Sequence, residues 1–466
     1  MWRVKSKQRI RYKTMPARKL YDLIVDTQRK TGLPSILYED ACNDKSNQNN
    51  LGYIRCSNLC TEIVEFTSED EIASCNLASI SLAAHVTDGE VDFEQLGKTS
   101  RSLVRNLNRV IDVNWYPLDE YDSKSQLLAR GKISKTNFKH RPIGIGVSGF
   151  AEMLYQLGTT FGESRTYEIN KEVFACIYFN CLVASVEEAI RHGAYETFKG
   201  SPLSQGKFQF DLWREEFERK WSSGNEFRKR DDDKPVNPLV WGQEALKLEN
   251  NCVIEPSWDS LRKAVMKYGV RNSLLLALMP TATTAQILRN TETCEPPESN
   301  LYSRKVMNGQ YPVLNRFLVK ELKEIGCWND MTFEFLKREY GSVSKLEEWI
   351  KSNPGSYPSI LNWERIRRIV YRYRTIWEIS QKVLIQMSAD RSRYIDQSSS
   401  HNVFIAEPTD KQLHALHLMT WKIGLKTGMY YLRMKPASNP IQFTLDTTVA
   451  EGQVCNRSDP TCLSCQ

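Results

Sequence analysis

Helical and extended segments alternate along the whole chain, and that alternation places the fold in the α/β class. Leu20, Leu23, Ile24 and Gln28 stand at helical spacing and predict an amphipathic helix over Leu20–Thr31. Residues 43–52, rich in Asn, Asp, Lys and Ser, read as a loop. β-branched residues and alternation predict an extended stretch from Gly52 to Phe66. Phe93–Val113 reads as a helix. In Arg141–Leu157, the glycines Gly144, Gly146 and Gly149 have G-x-G-x-x-G spacing. No clear βαβ unit surrounds them, so close packing is preferred over a dinucleotide site. Ser273–Met279 is apolar and strand-like, and Pro280 ends it. Trp363, Ile366, Val370, Tyr373, Trp377, Ser380, Leu384 and Met387 recur at three- and four-residue steps. They predict one long helix with a buried face.

The chain has 466 residues, 41% of them hydrophobic and 26% charged. Those are globular proportions, enough for a large core in one large domain or two to three smaller ones. The apolar run Leu274–Met279 is far shorter than the ~20 residues of a membrane span. Trp2–Lys19 contains no apolar core of a secretory signal. Residues 1–19 hold eight basic residues and no acid, so most of the net charge of +7 sits in this arm. The arm reads as a solvated terminus, and the near-neutral body gives no reason to propose nucleic-acid binding. Mixed charges over residues 214–234 read as a surface insertion, and 448–466 as a flexible tail. Twelve cysteines without a secretory signal point to a reducing, cytoplasmic setting with few structural disulfides.

Four local patterns carry chemistry. In Ser57-Asn58-Leu59-Cys60-Thr61-Glu62-Ile63, an extended backbone would send Asn58, Cys60 and Glu62 to one side. A thiol can give or lose a hydrogen atom, a carboxylate can take a hydroxyl proton, and an amide can orient that hydroxyl. The alternative is a half-exposed strand. Cys462-Leu463-Ser464-Cys465 is a C-x-x-C pair on the tail. It favours dithiol exchange over zinc, because a second ligand pair at suitable spacing is absent. After Pro280, Thr281, Thr283 and Thr284 open a helix that could cradle phosphate or simply be capped by its own threonines. In Gly428-Met429-Tyr430-Tyr431-Leu432-Arg433, adjacent tyrosines in a strand would point to opposite faces.

Together these segments resemble one family. The matching stretches include Lys45–Gly52, Cys56–Glu65, Cys75-Asn76-Leu77-Ala78-Ser79, His140–Val147, Met279–Ile287, Asp396-Gln397-Ser398 and Gly424–Arg433. In order and spacing they are similar to the large, catalytic subunit of class I ribonucleotide reductase, of the eukaryotic and large-DNA-virus type. The resemblance implies reduction of ribonucleoside diphosphates to deoxyribonucleoside diphosphates. It implies that Cys60 becomes a thiyl radical, that Glu62 is the base for the 3′-hydroxyl and that Asn58 orients it. Cys75 corresponds to one of two reducing thiols, and Cys462 and Cys465 to the tail dithiol reduced by thioredoxin or glutaredoxin. Ser57, Thr281, Ala282, Thr283 and Thr284 correspond to substrate-binding positions. Tyr430 and Tyr431 correspond to a stacked pair relaying a radical from a small, metal-bearing subunit. No metal or other cofactor is implied in this chain itself.

The implied fold is the second half of a ten-stranded α/β barrel, with the catalytic cysteine on a finger loop through it. Residues 1–19 would be a basic arm and 20–447 the C-terminal part of the barrel, with a charged insertion near 214–255 and a redox tail at 448–466. The family's N-terminal half, with the ATP and dNTP effector sites and the second reducing cysteine, has no counterpart here. A split or incomplete chain is therefore expected, completed by an N-terminal half in trans; a degenerate relic is the other reading. Half a barrel would expose strand edges, which predicts aggregation or oligomerisation of the isolated chain. The alternative function is a non-catalytic protein that keeps the contacts to the small subunit or another partner. A glycyl-radical reductase fits badly, because no glycyl-radical motif stands near the C-terminus.

Overall fold

The computed structural model describes residues 14–122, 125–221, 234–306 and 309–435. Cys462 and Cys465, the 448–466 tail and most of the basic arm lie outside these residues. The interior is organised around the 29-residue helix Ser164–His192. Its apolar residues occur all round the axis, so it requires protein on every side. Every residue from Val173 to Ala189 is buried. Among the described residues it is the one helix long and apolar enough to cross a membrane, yet 89% of that apolar window is enclosed by the rest of the protein. The predicted helix Phe93–Val113 packs along it through Leu96, Val104, Leu107 and Ile111. Asp92 caps that helix by accepting from the Gln95 N–H at 2.9 Å. Gly97 permits the close approach, since a Cβ there would lie 2.9 Å from Asn180 Nδ2.

Beside these helices runs a set of parallel extended segments. Asn76–Ser81 pairs in parallel with Ile143–Ser148 over six residues. The apolar run predicted at Ser273–Met279 lies next, with Ile145 bridged to Leu276 and Leu278 bridged to Ser399. All six residues of Ile143–Ser148 are buried, as expected of a strand covered on both faces. Its glycines serve packing. A Cβ on Gly144 would come within 2.5 Å of Leu77, and one on Gly146 within 2.9 Å of the Ala277 carbonyl. Gly149, at φ +75°, makes the sharp turn into the helix Phe150–Gln156. Farther along, Val403–Phe404 pairs with Leu432–Arg433 and Ile36–Leu37 with Thr427–Met429. The fold is α/β. Among the described residues the ladders are two-stranded and no barrel closes.

Two expectations are corrected. The long helix from Trp363 to Met387 is two helices, Trp363–Arg372 and Gln381–Ser392. Between them Glu378 Oε2 accepts from the N–H and the hydroxyl of Thr375, at 2.6 and 2.9 Å. Tyr373, Ile376 and Ile379 remain buried through this turn. The apolar spacing therefore continues where the backbone ladder breaks, and periodicity alone cannot register the break. The charged stretch from residue 214 is also not all surface. The helix Gln209–Lys220 buries Glu216 and Phe217, and Glu216 is ion-paired with buried Lys45. Lys220 adds contacts to Asp40 and Asp44 at 2.8 Å each. Charge reads as surface only until a partner is placed opposite it. The 43–52 loop supplies that partner, with Lys45, Ser46, Asn47 and Gln48 all buried. Residues 222–233 lie outside the described part.

Candidate active site

The segment expected to be extended from Gly52 to Phe66 is a tight turn at its centre. Thr61 takes φ +69°, and its N–H donates to the Asn58 carbonyl at 3.2 Å. Strand alternation therefore does not align Asn58, Cys60 and Glu62; the turn does. Asn58 Oδ1 accepts from the Ile63 N–H at 3.1 Å, and its Nδ2 donates to Glu62 Oε1 at 2.8 Å. One amide thus closes the turn and orients the carboxylate. The Ser57 hydroxyl donates inward to the Ile63 carbonyl at 2.7 Å, so in this geometry it staples the loop. Leu59, at the tip, is 86% exposed, whereas Glu62 is 2% exposed.

A second segment, 396–401, fastens this turn to the sheet. Both carboxylate oxygens of Asp396 accept backbone N–H groups of the neighbouring run, from Leu275 and Leu276, each at 2.8 Å. Gln397 Oε1 accepts from the Val64 N–H at 3.2 Å. The Ser398 N–H donates to the Glu62 carbonyl at 2.9 Å. Thr427 Oγ1 donates to the Thr61 carbonyl at 2.8 Å and is paired with Ser398 Oγ at 2.7 Å. Ser400 Oγ lies 2.9 Å from Glu62 Oε2 and 2.5 Å from the Cys60 carbonyl. Hydrogen bonds from two separate segments thus converge on this one turn. Sequence reasoning gave Asp396, Gln397, Ser400 and Thr427 no role. Asp396, Gln397 and Thr427 stand inside quoted stretches, but nothing in one sequence tells which of their side chains turn toward Cys60.

The tyrosines complete the site. Tyr430 OH donates to Cys60 Sγ at 3.3 Å, and the Tyr430 and Tyr431 rings are 4.2 Å apart between centroids. They do not point to opposite faces, because they occupy the break between the strands Thr427–Met429 and Leu432–Arg433. Burial, then the contacts to Cys60 and Tyr431, push the Tyr430 phenol well above its ordinary range. That keeps the phenol protonated, so its O–H remains available to the sulfur.

Cys75 is a different kind of thiol. It is partly buried, accepts from Gln397 Nε2 at 3.4 Å, and is raised well above the usual thiol range, first by desolvation and then by the neighbouring Glu65 charge. Glu65, itself buried, is pushed up to about 7 mainly by desolvation. All cysteines among the described residues are free. Cys42, Cys176, Cys181, Cys252, Cys294 and Cys327 are buried, and Cys56 is exposed.

Thr281 precedes a short helix, Ala282–Leu288, whose first turn has no side-chain cap. Thr281 Oγ1 accepts instead from the Thr293 N–H at 3.0 Å, and Thr284 Oγ1 donates to the Thr281 carbonyl at 3.2 Å. Simple N-capping therefore does not account for the threonines. Ala282, Thr283 and Thr284 are exposed, just beyond the end of the apolar run.

A family profile described as ribonucleotide reductase, barrel domain, matches residues 2–431. The chain is 47% identical over 434 residues to the ribonucleoside-diphosphate reductase large subunit of Trypanosoma brucei brucei, covering 93% of this chain and 46% of that one. It is 42% identical to the large subunit of Caenorhabditis elegans, covering 97% and 51%. It is 41% identical to that of Variola virus, covering 96% and 50%. The chain thus spans about half the length of these curated relatives. The α subunit of the Actinobacillus ureae class Id ribonucleotide reductase shares the fold, with a TM-score of 0.62 over 90% of this chain and 61% of that one, at 22% identity. A profile match across nearly every described residue, on a chain that gathers Asn58, Cys60, Glu62 and Tyr430 at one point, means that this chain belongs to the ribonucleotide reductase barrel-domain family.

Proposed function

We propose that this chain is the C-terminal, chemistry-bearing part of a ribonucleoside-diphosphate reductase large subunit. The observation that carries the reading is the position of Cys60. Its sulfur touches the Tyr430 hydroxyl on one side, and its turn holds the Asn58–Glu62 pair on the other. In this account a hydrogen atom passes from Cys60 to the Tyr430 radical and leaves a thiyl. The thiyl takes the ribose 3′ hydrogen, and Glu62 takes the 3′-hydroxyl proton. The 2′-hydroxyl leaves as water. Cys75 and a second thiol become a disulfide, which supplies two electrons and two protons, and Cys60 returns its hydrogen to C3′. Cys462 and Cys465 then re-reduce that disulfide and are reduced in turn by thioredoxin or glutaredoxin. Ser57 and Thr281 to Thr284 hold the substrate, the threonine segment on its diphosphate.

The second thiol, the effector sites for ATP and dNTPs and the other half of a ten-stranded barrel would come from an N-terminal half. Cys60 would then ride on a finger loop through the closed barrel. The radical would be supplied by a metal-bearing small subunit at Tyr431. Affinity capture of this chain from its native source, with partners identified by mass spectrometry, tests the reading. It predicts recovery of an N-terminal half and a small subunit, and deoxyribonucleotide formation by the recovered assembly. Recovery of the chain without any N-terminal half, and without turnover, contradicts it.

A further inference from the structure

One hydroxyl stands between the two groups that the proposed chemistry uses, and nothing above gives it a part in that chemistry. Ser400 is buried, and its Oγ lies 2.5 Å from the Cys60 carbonyl oxygen and 2.9 Å from Glu62 Oε2. A serine hydroxyl has one proton to donate and two lone pairs with which to accept. It therefore serves one of these oxygens fully at a time, and the protonation state of Glu62 decides which. An ionised carboxylate is the stronger acceptor, so the hydroxyl then points to Glu62. Glu62 Oε1 is already held by Asn58 Nδ2 at 2.8 Å, so an incoming proton resides on Oε2. Oε2–H then donates to Ser400 Oγ, and the Ser400 proton swings to the Cys60 carbonyl.

The backbone makes this reversal possible without any movement of heavy atoms. The Ser400 N–H donates to the Leu278 carbonyl at 2.9 Å. On one side of it the Ser398 N–H holds the Glu62 carbonyl, and on the other the His401 carbonyl accepts from the Tyr430 N–H at 2.6 Å. Oγ has a fixed seat between the Cys60 carbonyl and Glu62, and only its proton is free to turn.

We propose that Ser400 is a positioning residue whose hydroxyl reverses its hydrogen bond when Glu62 takes the substrate proton, so that proton uptake by the base is transmitted to the backbone of Cys60. The inference rests on the reductase reading. One proton passes from the substrate 3′-hydroxyl to Glu62 Oε2, and Ser400 keeps its own throughout. The protonated carboxyl gains an acceptor it would otherwise lack, at the moment when the thiyl removes the 3′ hydrogen. When the proton returns, the arrangement resets.

The test compares wild type, Ser400→Ala and Ser400→Thr in the complete assembly, with ribonucleoside diphosphate carrying hydrogen or deuterium at C3′. Ser400→Ala is expected to lower kcat on the order of tenfold or more, the effect of one lost hydrogen bond to a charged group, with KM unchanged. Its 3′-deuterium effect on kcat/KM should rise, because hydrogen abstraction becomes more limiting. Ser400→Thr, which keeps the hydroxyl, should restore both. A loss of folded enzyme alone would lower kcat without moving the isotope effect, and that result overturns the inference. So does a Ser400→Ala enzyme within twofold of wild type, which leaves the reductase reading standing. If the wild-type assembly makes no deoxynucleotide, the reductase reading falls and this inference falls with it.

Discussion

The turn around Cys60 and the helix Ala282–Leu288 are both elements to which this account gives chemistry, yet they are built in opposite ways. The turn is tied down from within by Asn58 and from distant parts of the chain by the side chains of Gln397 and Ser400 and the N–H of Ser398 in one segment, and by Thr427 and Tyr430 in another. The helix has no side-chain cap, exposes Thr283 and Thr284, and leaves Ile287 74% exposed. A thiyl radical reacts with whatever it reaches, so its position must be over-determined. A substrate-holding helix must instead present unused N–H and hydroxyl groups to an incoming ligand. The difference predicts that damage to the turn appears in kcat and damage to the helix in KM.

The largest effect that could break this contrast is at Tyr430. Tyr430→Phe keeps the ring against Tyr431 and removes only the O–H that reaches Cys60 Sγ. Turnover by the assembled enzyme is expected to fall to background while substrate binding is retained. Turnover near wild type would separate the tyrosine pair from the chemistry. Next comes the helix. Thr283→Val should raise KM for the diphosphate about tenfold, roughly 1.5 kcal/mol for a hydrogen bond to a charged group, with kcat nearly unchanged. A fall in kcat at constant KM would move this helix into the same class as the turn.

The smallest effect concerns stability against pH. Burial, reinforced by the Arg391 charge, lowers His401 to about 3 from an ordinary value near 6.5. The folded chain thus keeps this imidazole neutral, while the unfolded chain protonates it below about 6.5. The unfolded state binds the extra proton, so this group's contribution to stability falls as pH drops from about 6.5 towards 3, and is constant above that window. His401→Leu should flatten the decline of Tm between pH 6.5 and 4 relative to wild type, read by thermal melting. Thr283→Val should leave that decline unchanged. Parallel Tm curves for wild type and His401→Leu would mean that the segment fastening Cys60 does not depend on a neutral His401.

Much of the fold is legible in the sequence where one element decides its own state. Phe93–Val113 carries its cap residue and its apolar stripe together, and Ser273–Met279 is apolar throughout, so helix and buried run follow from local chemistry. The reading fails where the deciding partner is distant. Glu216 looks solvated until Lys45, 171 residues away in the chain, is placed against it. The site divides in the same way. Asn58, Cys60 and Glu62 lie within five residues and read as a unit, although strand alternation is not what aligns them. Thr61 at positive φ, not a strand, brings them together. Ser400 and Thr427 lie hundreds of residues from the turn they hold, and no local pattern marks a serine or threonine as a distant clamp. The tyrosines depart from strand alternation for a related reason, since they stand between two short strands and not within one.

The central claim is that Cys60, held between Tyr430 and the Asn58–Glu62 pair, performs the chemistry of this chain. Cys60→Ser in the assembled complex tests it most directly, with deoxyribonucleotide formation and complex assembly measured on the same sample. The account predicts that turnover is abolished while assembly with the N-terminal half and the small subunit is intact. Deoxyribonucleotide formation at the wild-type rate by the Cys60→Ser complex would contradict it.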